Sequence, residues 1–371
     1  MQTPGKWMCY VCITVLLFIV PLSGIVYLDL PLAPYLEFPP KTKYVVHAPF
    51  SWPFFILLLV FVAPVCFLLL YRLIAYRPAP ISVKQTYPFP WWGWLGVIVV
   101  VLFWVLAWNR LFFFEELQKY TFFPLWFGFV LVINGLTLSR KGHCLLQTRT
   151  WFFFTLFPLS ALFWWYFEYL NRFVQNWYYL GGENISAAEY IIHASICFST
   201  VLPAVLSTYE LLLTFPRLSG AFAYWHPVAL AVKKPIGWVL LVMATLSLSF
   251  LAVFPDYLFP LVWISPLLVI VGGQLVTGTP TIFSGVEKGD WQHVVIPALA
   301  ALTCGLFWEL WNWKSLAHWE YSVPFVHRFQ IFEMPLLGYA GYLPFGLECA
   351  AVVLLLGGNS IRKKSIFREA A

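Results

Sequence analysis

Glu168 and Asn171 stand three residues apart and are followed by Trp177 and Tyr179; Glu309 and Asn312 repeat the arrangement and are followed by Trp319 and Tyr321. Each set continues with further acids and a proline, Glu189, Pro203 and Glu210 in the first, Glu333, Pro344 and Glu348 in the second. The shared order is Glu-x-x-Asn, Trp-x-Tyr, Glu, Pro, Glu, with spacing that agrees within a residue at first and drifts by about three later. On a helix, positions three apart share a face, so each pair presents a carboxyl beside an amide. Apolar surroundings keep a carboxyl neutral and able to give up a proton. Aromatic faces stabilise a cation by on the order of 0.5–2 kcal/mol each. An acid in an aromatic lining suits protonation of an alkene and control of the resulting carbocation, and isoprenoids are lipid-phase substrates that react this way. The candidate catalytic groups are therefore Glu168, Glu309, Glu333 and Glu348. Asn171 and Asn312 would orient a substrate that Trp177, Tyr179, Trp319 and Tyr321 line.

A plainer reading stands beside this one. Asn and Glu between membrane helices bond helix to helix, and Trp and Tyr gather at membrane interfaces without any catalytic task. A carboxyl inside a span is nevertheless expensive and normally faces a bundle interior or a wet cavity. Glu348 is the deepest of the candidates, whereas Glu210 falls near a cytoplasmic end.

The elements that must position these residues follow from composition. Of 371 residues, 61% are hydrophobic, 20% aromatic and 10% charged, against about 25% charged in a soluble domain. Mean hydropathy is +0.79. The chain is expected to be a polytopic membrane protein, with each span needing roughly 20 apolar residues. Apolar runs fall near 8–28, 52–71, 91–109, 121–139, 151–170, 188–214, 236–254, 258–276, 294–313 and 335–357. They are too continuously apolar for barrel strands, so the fold class is all-α, a bundle of about ten spans.

With ten spans, one side of the membrane carries 15 of the 22 Lys and Arg residues and the other carries 7. The positive-inside rule then puts both termini in the cytoplasm of an inner or plasma membrane, in keeping with the tail residues Arg362, Lys363, Lys364 and Arg368. The net charge of +6 sets orientation and does not indicate nucleic acid. Seven cysteines, mostly in apolar runs, argue against a disulfide framework. Cys9 and Cys12 form a CxxC that reads as small apolar residues beside the membrane, and the first run lacks a cleavage site and reads as a retained span.

The second Glu-bearing hairpin begins four spans after the first, so they are parallel repeats with the same orientation. A fainter third copy runs from Phe103-Trp104 to Trp108-Asn109-Arg110, with Leu106 where the Glu would be. The chain divides into a four-span region (1–150), a first repeat hairpin (151–235), a two-span connection (236–293) and a second hairpin with the basic tail (294–371).

Nucleotide, zinc-protease and lipase motifs are missing, and no cofactor is indicated. His193 with Glu189, and His318 with Glu333, carry ligand-type side chains. Their loops' approach is not set by sequence, so no metal is assigned. Asn184-Ile185-Ser186 is a glycosylation sequon on the expected outer side.

The stretch Trp319-Glu320-Tyr321, through Ile331-Phe332-Glu333-Met334-Pro335, to Leu343-Pro344-Phe345-Gly346-Leu347-Glu348 resembles the membrane-integral lycopene cyclases. Those proteins have tandem parallel units of about three helices, with a Trp-rich loop leading into a span bearing Pro and Glu. The likeness covers at most 161–214 and 305–357. The family's Pro-x-Glu-Glu is absent, since Glu333 precedes Pro335 and the one Glu-Glu pair, Glu115-Glu116, lies in another loop. The resemblance implies an isoprenoid-cyclising enzyme whose partner is a membrane lipid or isoprenoid. Two other classes stay open: a transporter or channel, suggested by breaks such as Pro203, Gly272-Gly273 and Pro344, and a non-catalytic lipid- or pigment-binding subunit with membrane-protein partners.

Overall fold

The structure is a computed structural model, and it describes residues 4–78, 86–181 and 185–363, with side chains described over 11–355 of these. The sequon residue Asn184 and the tail residues Lys364 and Arg368 lie outside the described residues.

The chain is helical with little sheet. Its main helices are α1 (Pro4–Phe18), α2 (Val20–Tyr27), α3 (Trp52–Ala75), α4 (Trp91–Trp108), α5 (Phe122–Lys141), α6 (Thr150–Val174), α7 (Ala187–Phe198), α8 (Val201–Leu213), α9 (Lys233–Phe250), α10 (Ser265–Val276), α11 (Gln292–Asn312) and α12 (Tyr342–Lys363). Among the described residues four short strands complete it: β1 (Trp177–Leu180) pairs antiparallel with β2 (His318–Tyr321), and β3 (Gln330–Ile331) with β4 (Met334–Pro335). The sequence reading contained no strands.

Among the described residues, eight helices are long and apolar enough to cross a membrane, α7 and α8 counting together as one. A ninth forms if the bent pair Pro255–Trp263 and Ser265–Val276, at 52°, is one span. The first apolar run is interrupted at Ile19, and its apolar helical stretch is Val11–Tyr27. The chain is an integral multi-pass membrane protein. The exposed side chains of α3 are the most direct sign, because this 24-residue helix buries only Phe55 and turns rows of Leu, Val and Phe outward. Such a surface is costly in water and neutral in lipid.

The centre of the bundle is α8, in which every residue from Val201 to Leu211 is buried against α5, α6 and α11. Two helix pairs cross at glycines. A Cβ on Gly96 of α4 would sit 2.8 Å from the Gly128 carbonyl of α5, and one on Gly237 of α9 would sit 2.8 Å from the Gly272 carbonyl of α10. Absence of a side chain lets the backbones touch, the packing that membrane helices use where hydrophobic driving force is missing. A third tight crossing joins α11 to α12, where a Cβ on Gly346 would fall 2.2 Å from the Pro297 carbonyl.

Candidate functional site

The last turns of α6 carry Glu168 and Asn171, after which Gln175 turns the chain with φ 48° into β1. The Asn171 side chain fixes that turn. Its Oδ1 accepts from the Asn176 amide at 2.8 Å, and its Nδ2 donates to the Trp177 carbonyl at 2.8 Å. The strand is thereby folded back beneath the helix, which brings its aromatic side chains to the carboxyl. Trp177 Nε1 (3.0 Å), the Tyr179 hydroxyl (2.5 Å) and Trp164 Nε1 (3.0 Å) all donate to Glu168 Oε1.

α11 ends in the same manner. Asn312 Oδ1 accepts from the Trp319 amide at 2.8 Å while its Nδ2 donates to the Trp319 carbonyl at 2.7 Å. Glu309 Oε1 accepts from the Tyr321 hydroxyl at 2.7 Å and the Tyr342 hydroxyl at 2.8 Å, and Trp319 Nε1 donates to the Tyr321 oxygen at 2.7 Å. Both carboxyls are fully buried, and in each Oε2 has no protein partner. The two Asn amides hold backbone, so each orders the strand that supplies the aromatics and neither faces a neighbouring helix as glue.

β1 and β2 join the two ends. Trp177 stands opposite Tyr321 and Tyr179 opposite Trp319, so each Trp meets the other segment's Tyr. Burial first, and the neighbouring carboxyl second, hold the Tyr179 and Tyr321 hydroxyls well above the ordinary phenol range, so both remain donors.

The aromatic faces opposite these carboxyls enclose a chamber of about 850 Å³. Its walls include Trp164, Trp177, Trp263, Trp308 and Trp319, with Tyr179, Tyr321 and Tyr342 among them. One face of α7 runs along it through Ala187, Tyr190, His193, Ala194 and Cys197, continued by Val201 of α8. Glu37, Lys41, Thr42, Lys43, Lys119, Asn176, His193 and His318 form its polar part. Beneath Val201 the packing tightens. The space among Leu202, Leu206, Tyr209, Pro297 and Gly346 is about 10 Å³, scarcely enough for one water.

Of the residues singled out by sequence, Glu168, Asn171, Trp177 and Tyr179 form one constellation, and Glu309, Asn312, Trp319 and Tyr321 form the other. The four aromatics line the chamber, while the two carboxyls and two amides lie behind them. Glu333 and Glu348 are not brought in. Glu333 sits half-buried in the turn between β3 and β4. Burial, and to a lesser degree the charge of Glu320, pushes its carboxyl upward from the usual carboxylate range, with His318 opposing. Glu348 accepts from the Leu267 amide at 3.3 Å, satisfying one of the unpaired N–H groups at the start of α10 from across the bundle.

The other acids are paired elsewhere. Glu189 accepts from Tyr120 (2.5 Å) and Lys119 (3.1 Å), and Glu210 binds Lys141. His193 contacts Cys197 Sγ at 3.5 Å, and among the described residues no cluster of three His, Cys, Asp or Glu side chains fits a metal ion. In the fainter third copy Asn109 donates to Val105 of its own helix.

Sequence reasoning missed Trp164, Trp263, Trp308 and Tyr342. Trp164 lies four residues before Glu168, one helical turn, and that spacing was a usable signal. Tyr342 lies two residues before the noted Pro344. Trp263 comes from the bent segment and had no local mark. No family model matches the chain, and no curated protein or solved structure is similar enough to carry an argument.

Proposed function

We propose that this protein is a membrane-embedded enzyme that takes an isoprenoid or comparable lipid into the aromatic chamber and protonates it, with Glu309 as the acid. The observation that carries this reading is the pair of tyrosine hydroxyls, Tyr321 and Tyr342, which bond to Glu309 Oε1 and also line the chamber. The proton reaches a bound alkene through one of these hydroxyls. The hydroxyl turns its O–H from the carboxyl to the alkene, and that proton passes to carbon as the π bond breaks. The phenol oxygen takes the carboxyl proton, and the carboxylate is reprotonated by the proton the carbocation loses as the product alkene forms. The indole faces of Trp177, Trp308 and Trp319 then lie where a carbocation would develop. Glu168, with Trp177 and Tyr179, is the second acid of the same kind.

The reading includes a duplicated architecture. Gly96, Glu168, Asn171 and Pro203 each have a counterpart of the same type 141 residues further on, at Gly237, Glu309, Asn312 and Pro344. The repeat unit is then four spans, α4 to α8 and α9 to α12, longer than the two hairpins alone. Even spacing gives the units the same orientation, with the chamber between them and both termini cytoplasmic. Tight packing at Gly346 and Pro297 weighs against a continuous transport path through the bundle.

The test is production of the full chain in an isoprenoid-synthesising host, with mass spectrometry of the organic extract. A new or depleted isoprenoid with the wild type, absent with Glu309→Gln, supports the enzyme; no difference from a host lacking the chain sinks it. One observation favours a second reading, a non-catalytic lipid- or pigment-binding subunit: both carboxyls stand behind the ring wall rather than in the lumen. That protein would co-purify with an isoprenoid that both wild type and Glu309→Gln leave chemically unchanged.

A further inference from the structure

Resting on the lipid-chamber reading above, we propose that the rim of the chamber binds a phosphate-type anion, borne by the lipid whose tail fills the interior. The chamber is long and graded in polarity. From Ala187 to Val201 its α7–α8 face spans 14 residues, or ~21 Å of helix at 1.5 Å per residue. That length suits a chain-like occupant. The floor is aromatic and aliphatic, with Trp308, Phe198 and Val201, whereas the rim carries Lys41, Lys43 and Lys119 against one lining carboxylate, Glu37.

This concentration is uneven in a telling way. Only seven Lys and Arg residues fall on the side the positive-inside count makes non-cytoplasmic. Three of those seven line this one rim, where orientation gives no reason for them. His193 and His318 add ring nitrogens beside them.

Two of the lysines, Lys41 and Lys119, already have partners that an anion would displace at little cost. Lys41 lies 2.5 Å from Glu37 with side chains 77% and 47% exposed, and Lys119 lies 3.1 Å from Glu189 with 28% and 40% exposed. Exposed ion pairs contribute about 0–1 kcal/mol, while a phosphate accepts several charge-assisted hydrogen bonds at once. The segment bearing Lys41 and Lys43 is also fixed in place. The Arg172 guanidinium donates to the carbonyls of Tyr35 and Glu37, the Lys43 amide donates to Gln175 Oε1 at 3.3 Å, and the Ser322 hydroxyl donates to the Val45 carbonyl at 2.6 Å. A rim ordered before binding loses less entropy on capturing a head group.

The test uses the detergent-solubilised full chain and three probes: geranylgeranyl monophosphate, geranylgeraniol with the same tail and no charge, and inorganic phosphate. Binding is followed by quenching of tryptophan fluorescence and, for phosphate, by calorimetry. The monophosphate is expected to bind at least tenfold more tightly than the alcohol at low salt. In the triple variant K41Q/K43Q/K119Q, whose melting curve reports its fold, that advantage should fall below threefold while alcohol binding holds. Equal binding of phosphate and alcohol overturns the anionic rim and leaves the lipid chamber standing. Binding of inorganic phosphate alone overturns the lipid-borne source, and the chamber reading with it. Binding of none of the three overturns both.

Discussion

The Tyr342 hydroxyl donates to Glu309 Oε1 across 2.8 Å, tying the first turn of α12 to the end of α11 at the chamber wall. This contact makes a tyrosine the gatekeeper of a buried acid. Tyr342→Phe is expected to lower turnover by about 10²–10⁴-fold, the contribution typical of a positioned proton-transfer group. Tyr321→Phe should do less, because the Tyr321 oxygen already accepts from Trp319 Nε1 and is less free to take up the carboxyl proton. Product formation in the isoprenoid-producing host measures both; equal and full activity in the two variants would remove the tyrosines from the proton path.

Asn312 holds the Trp319 backbone by both ends of its amide. Asn312→Ala leaves the half-buried Trp319 N–H and C=O without their side-chain partners, at up to ~1–3 kcal/mol each. Asn312→Asp keeps the acceptor and loses the donor, so an intermediate effect is expected. Thermal melting in detergent should rank wild type above Asp above Ala, and Asn171 substitutions should follow the same order.

Gly346→Leu should fail more severely than any of these. Its Cβ would meet the Pro297 carbonyl at 2.2 Å, backbone against side chain with no flexible atom to yield. The expected result is loss of monodisperse protein in size-exclusion chromatography. Gly278→Ala is a milder control, because a Cβ there meets no atom within 4 Å and only its φ of 69° opposes it.

Glu333 gives a pH-dependent prediction. Its carboxyl is raised by burial and by Glu320, so the folded state binds its proton more tightly than the unfolded chain does. The stabilisation from that proton is complete below the unfolded carboxylate range, and it is lost as pH rises through the raised folded value. At neutral pH the charged group is therefore a mild liability. Glu333→Gln should raise the melting temperature at pH 7–8 and leave it unchanged near pH 4; the opposite pH trend would contradict the assigned surroundings.

Much of this site was legible because a helix converts spacing into a shared face. Glu168 with Asn171, and Glu309 with Asn312, could be paired from sequence, and their duplication marked them among many acids. What each amide bonds was not legible, since Asn carries no sign of whether it will meet a helix, a ligand or a strand backbone. β1 and β2 were hidden for a related reason: four residues rich in Trp and Tyr look the same as an interfacial belt. Glu348 looked deep and therefore functional, and it is deep, but its partner is the start of a bent segment whose break no local pattern displays. Trp263 reaches the chamber from that same segment. The apolar runs gave the helices well; among the described residues eight of them, or nine with the pair bent by 52°, are long and apolar enough to cross a membrane, and the run interrupted at Ile19 is a shorter apolar helix.

The narrowing beneath Val201 has a kinetic meaning. With the rim lined by Glu37–Lys43 as the way in, and the space beyond Val201 narrowed to about 10 Å³, the chamber would fill and empty through the same polar segment. Whatever enters there would leave backwards, and a spent molecule would exclude a fresh one until it has gone. Turnover would then be governed by departure past that threshold, so the sequence of the doorway segment, more than that of the acid, would set the pace of the whole cycle.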